Sequence, residues 1–98
     1  MKIITKSELQ NRISRTTKRW NTEKKYVRAF QREIEYCRYK INWHCSGVPN
    51  ENRNNNLLNR LSAEIKSARL KQVYHIQQTK ELKNELRFYQ LLLANYKE

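Results

Sequence analysis

Four side chains of this 98-residue chain could ligate a soft metal or act as nucleophiles: Cys37, His44, Cys45 and His75. Zinc needs four such donors gathered closely. A chain folded back on itself near Glu51 brings His75 level with Val27, ten residues and roughly 15 Å along a helix from Cys37, so the spacing argues against a metal centre. Cys37 and Cys45 stand about two helical turns apart, beyond the ~7 Å Cα separation that a disulfide tolerates. Both are read as free thiols, as a reducing compartment also favours. His75 falls among small and apolar neighbours and is read as an interior histidine. All nine acids are Glu, with no Asp anywhere, which takes away the usual material of calcium cages and Asp-based catalytic pairs. Ser, Thr and Lys are plentiful, yet no glycine-rich loop, nucleophile elbow or acid/base pair accompanies them. The expectation is a protein that is not an enzyme and holds no metal or cofactor.

The chemistry that remains is binding. Lys and Arg outnumber the acids 21 to 9, for a net charge of +12, and such a field attracts polyanions and acidic protein surfaces. The charge is concentrated: Arg12, Arg15, Lys18, Arg19, Lys24, Lys25, Arg28 and Arg32 put eight cations in 21 residues against Glu23 alone. A solvated helix face normally mixes signs, so this run is read as an interaction surface. On a helix turning ~100° per residue, Arg28, Arg32, Tyr36, Tyr39 and Trp43 share the side away from Ile34 and Ile41. Aromatics there are surplus to a helical core. Together with the arginines they have the composition of a protein-interface anchor, while packing on a bent-back N-terminal segment or stacking on single-stranded bases are the competing uses.

These side chains need long helices to position them. Thr5-Lys6-Ser7-Glu8 reads as a capping box, and Ile4 with Leu9 has the spacing of a hydrophobic staple, so a helix is predicted from about Lys6. Ile13, Trp20, Val27, Ile34 and Ile41 then recur every seven residues, with Phe30, Cys37 and His44 three places after the last three of them. Thr16 and Glu23 weaken the seam, and Asn21-Thr22 marks a place for a bend or for a short separate first helix. Gly47 after Cys45 is a helix-ending residue, and Pro49 forbids continuation. Five asparagines between Asn50 and Asn56 favour turns and a new cap. A second stripe follows through Leu58, Leu61, Ile65, Ala68, Ile76, Leu82, Leu86, Tyr89 and Leu93, drifting around its helix. The fold class is therefore all-α, a long antiparallel helical hairpin in a single domain, with helices at about 6–45 and 57–97 around a loop at 46–56. Each arm buries only one stripe, which invites self-association or docking on a larger protein.

The loop has a second reading. An exposed Val48-Pro49 bond, preceded by Gly47, is the kind of segment that a prolyl isomerase grips. The helix-stop reading accounts for the same three residues without a partner. No apolar run approaches ~18 residues and no leader-like segment opens the chain, so neither membrane insertion nor secretion is expected, and the cytoplasm is the expected compartment.

A small, very basic, all-helical chain that opens MKIITKSELQNRISRTTKRW and carries a single Gly-Val-Pro loop between two arms resembles the anti-RecBCD accessory proteins of lambdoid phages, the Abc family. The resemblance covers the whole chain. It implies a phage protein, acting in the host cytoplasm, that binds the host RecBCD helicase-nuclease through its RecC subunit. Such a protein alters nuclease activity or the response to Chi in favour of phage recombination. A DNA mimic would be acidic, and this chain is the opposite. Two other classes fit the residues: a basic nucleic-acid-binding or phage regulatory protein, whose affinity would collapse with salt, and a coiled-coil assembly protein, whose helicity would depend on concentration.

Overall fold

The computed structural model describes residues 4–97. Among them there is no strand, and two 40-residue helices form a helical hairpin: α1, Lys6–Cys45, and α2, Asn55–Ala94. The start of α1 is set locally, since the Glu8 amide donates to Thr5 Oγ1 at 3.1 Å, which satisfies one of the amides a helix start leaves without a partner. Half-buried Ile4 and buried Leu9 sit on either side of this cap and line one pocket. The helix is unbroken through Asn21 and Thr22. The Thr17 and Thr22 hydroxyls, which could have competed with helical backbone bonds, donate back to the carbonyls of Ile13 and Lys18, one turn earlier. There is thus no separate first helix.

At its other end α1 stops where Gly47 takes a φ of 72°, a conformation that costs glycine little. The Val48 amide closes the turn on the Cys45 carbonyl at 3.2 Å. Pro49 leads into one 3-10 turn, Asn50–Asn52, and Asn54 caps α2 by accepting the Leu57 amide on Oδ1 at 3.1 Å. The loop is thereby shorter than the expected 46–56, because the asparagine that caps α2 lies inside the cluster and not after it. Arg53 ties the loop to the end of α1: Nε donates to the Val48 carbonyl at 3.0 Å and Nη2 to the Cys45 carbonyl at 3.2 Å.

The chain divides into two compact units. In the first, Met1–Lys25 with His75–Glu98, the buried side chains are Leu9, Thr16, Leu82 and Leu86. Half-buried His75 pairs through Nδ1 with Glu23 Oε2. In the second, Tyr26–Tyr74, the core is Ile34, Cys37, Leu61 and Ala68. Here Gln72 Nε2 donates to Gln31 Oε1 at 2.9 Å and to the Val27 carbonyl at 3.3 Å. Burying each large apolar side chain stabilises the fold by about 1.5–3 kcal/mol, and the contacts of Gln72 and His75 with α1 offset the cost of bringing those polar groups to the seam.

The stripe on α2 corrects one expectation. Leu58, Leu61, Ile65, Ala68, Gln72, His75, Thr79, Leu82, Leu86, Tyr89, Leu93 and Tyr96 are all buried or half-buried, in an unbroken seven-residue repeat, whereas Ile76 is exposed. Hydrophobicity selected Ile76 and so produced an apparent drift. The true seam passes through three polar residues, of which Gln72 and His75 find partners on α1.

Candidate functional site

The outer face of α1 in the Tyr26–Tyr74 unit carries the aromatic and arginine stripe. Arg28, Arg32, Tyr36, Tyr39 and Trp43 follow one another at intervals of three or four residues, off the seam occupied by Ile34, Cys37 and Ile41. All five are exposed, with Tyr36 57%, Tyr39 65% and Trp43 68% accessible. None of the three rings is thus consumed by the hairpin core. The Lys40 ammonium lies 4.7 Å from the Tyr36 ring centroid, and Trp43 meets His44 edge-on at 4.9 Å. Among the described residues no carboxylate is within ion-pair reach of Arg28 or Arg32. The stripe therefore offers broad apolar rings with unneutralised guanidinium groups, the composition that dominates protein-interface anchors.

The cations of the basic run toward the N-terminus have different surroundings. Lys24 lies back over the Trp20 ring, 3.8 Å from its centroid, a cation–π contact that keeps it half-buried. The Trp20 indole Nε1 beneath has no hydrogen-bond partner among the described residues. Lys18 and Lys25 are exposed. Arg12, Arg15 and Arg19 instead line a cleft of about 310 Å³ with Thr16, Glu85 and Tyr89.

In the loop, Gly47 and Pro49 are exposed and Val48 is half-buried, and no peptide bond among the described residues is cis. The Arg53 bond to the Val48 carbonyl bears on the isomerase reading. Rotation about Val48-Pro49 would swing that carbonyl away from its charged donor.

The potential metal ligands stay apart: no group of three or more His, Cys, Asp or Glu side chains gathers among the described residues. Both cysteines are free thiols. Cys37 is buried, and its thiol is pushed above its ordinary range, first by burial, then by the hydrogen bond its Sγ donates to Glu64 Oε2 at 3.4 Å and by the negative charges of Glu64 and Glu33, with Lys40 opposing. A protonated, enclosed thiol is a poor nucleophile. No helix among the described residues is long and apolar enough to cross a membrane.

The structure adds apolar surface that the sequence reading passed over. Leu70, Val73 and Tyr74 are exposed on α2, with Lys66 and Arg69 beside Leu70 and Val73 in an open groove. Phe88 and Leu91 are exposed further along the same helix. Their signal was present as apolar residues off the seven-residue repeat, but it could be read only once Ile76 had been removed from the seam. No family model, curated protein or solved structure matches the chain.

Proposed function

We propose that this protein is a non-catalytic phage modulator that docks on host RecBCD through its RecC subunit in the host cytoplasm. Docking changes nuclease activity or the response to Chi and so favours phage recombination. One observation carries the docking part of this reading: the exposed Tyr36, Tyr39 and Trp43 stripe, flanked by Arg28 and Arg32, which have no ion-pair partner among the described residues, and left unused by the hairpin. Large rings exposed to water are costly to keep and gain by covering. The net charge of +12 adds attraction toward an acidic surface and speeds encounter. The name of the partner rests on the sequence resemblance.

The test mixes nuclease-treated, purified chain with purified RecBCD in moderate salt without DNA, then measures exonuclease rate and Chi-dependent product. A stable complex with an altered rate or Chi response supports the proposal. A chain that ignores RecBCD while its helicity rises with its own concentration belongs to the assembly class instead. The loop contributes a subsidiary proposal, that Gly47-Val48-Pro49 presents a prolyl isomerase ligand. It is tested by whether Pro49→Ala abolishes isomerase binding; equal binding by wild type and variant makes the loop only a connector.

A further inference from the structure

Arg12, Arg15 and Arg19 lie on one side of α1, three and four residues apart, and span roughly 10 Å of helix axis. They converge on one cleft with the buried Thr16 and with Glu85 and Tyr89 of α2, all within the unit formed by Met1–Lys25 and His75–Glu98. The cleft is poor in internal counter-charge. Among the described residues no carboxylate is within ion-pair reach of any of the three guanidinium groups. The one acid lining the cleft, Glu85, accepts the Tyr89 hydroxyl at 3.0 Å, and Arg12 rests 6.0 Å from the Tyr89 ring centroid. Three forked donors with no protein acceptor among the described residues, lining one concavity, match an anion with several oxygen atoms spaced along a helix.

We infer that this cleft binds the phosphate backbone of single-stranded nucleic acid. The row of about 10 Å spans a few phosphates of a strand whose charges fall ~3.4 Å apart along a duplex axis. The cleft is small, about 310 Å³, which suits a short stretch of a flexible strand. The half-buried Tyr89 ring at its wall, with Arg12 beside it, adds an apolar surface next to the arginines, as single-strand sites commonly do. Glu85 sets a limit on affinity by opposing the phosphates. This site is separate from the aromatic stripe and does not rest on RecBCD docking.

The test uses the full chain alone, with a short fluorescent oligothymidine as probe and anisotropy as readout. Replacing all three residues, Arg12→Ala with Arg15→Ala and Arg19→Ala, is expected to weaken binding by ~10-fold or more and to lower the salt slope by about 2, the value for three lost phosphate contacts to a single strand. The control Lys80→Ala with Lys83→Ala and Arg87→Ala removes the same charge from exposed positions of α2 outside the cleft, and is expected to cost less than a third as much in affinity. Glu85→Gln, which keeps an acceptor for Tyr89 and removes the opposing charge, is expected to tighten binding several-fold. Equal losses in the two triple variants, an unchanged affinity in Glu85→Gln, tighter binding to duplex, or binding to phosphatidylglycerol vesicles but not to the oligomer would each overturn the inference.

Discussion

Cys37 shows how one buried residue carries a pH dependence. Its thiol is held protonated above the reference value of 9.0 by burial and by Glu64, so the folded chain keeps the proton where the unfolded chain releases it. That contribution to stability is fully present below pH 9 and is lost as pH rises through the higher folded value. Urea midpoints are therefore expected to fall more between pH 8 and 10 for wild type than for Cys37→Ala, the variant serving to subtract tyrosine and lysine titration. Equal falls would remove Cys37 from the account. The Glu23 and His75 pair makes a second residue-scale case, with both side chains about one-fifth exposed. A double-mutant cycle of Glu23→Ala and His75→Ala is expected to give a coupling of ~0.5–1.5 kcal/mol, and a coupling near zero would make the contact incidental. Neither interaction was legible in the sequence. Glu23 looked like a break in the α1 seam and His75 like a lone interior histidine, because their pairing depends on which residue of α2 comes level with which residue of α1.

At the scale of the helices, what is local was readable and what crosses between them was not. Thr5, Gly47 and the asparagine cluster act within a few residues of themselves, and the Thr5 cap, the left-handed glycine and the Asn54 cap do in the structure what their types imply. Arg53 was missed because nothing in its neighbours marks it as the donor to two carbonyls at the end of α1. Ile76 was placed on the seam because hydrophobicity outweighed register, although Gln72 and His75 hold that stretch by polar contacts. Two substitutions separate the roles of the loop. A Cβ at position 47 would meet no atom within 4 Å, so the cost of Gly47→Val is backbone strain alone, about 1–2 kcal/mol, read as a lower thermal midpoint. Pro49→Ala is expected to leave that midpoint nearly unchanged. Arg53→Ala is expected to cost about 1 kcal/mol, since two carbonyls lose a charged donor in a half-exposed setting. A neutral Arg53→Ala would mean that Gly47 alone shapes the turn.

For the molecule as a whole, a chain of +12 with aromatic rings left outside its seam has more binding surface than its own fold uses. The seven-residue repeat made the hairpin readable in advance. The off-seam position of Tyr36, Tyr39 and Trp43 was readable too, because helical phase alone decides it. The arginine cleft was not, since it depends on Glu85 and Tyr89 of α2, whereas the Lys24 contact with Trp20 lies one turn along α1 and was passed over. Charge reversal at Arg28 or Arg32 is expected to slow association with RecBCD at low salt and to matter less as salt rises, because rim charges steer more than they hold. The most direct test of docking through the outer face of α1 is the equilibrium affinity of purified RecBCD for wild type, Tyr39→Ala and Trp43→Ala, measured without DNA, with helicity checked in each. The expected result is direct binding by wild type and a loss of ~1–4 kcal/mol in each variant, the range for truncating a central aromatic anchor, at unchanged helicity. Wild-type affinity in both variants, or no binding by wild type at all, would contradict it.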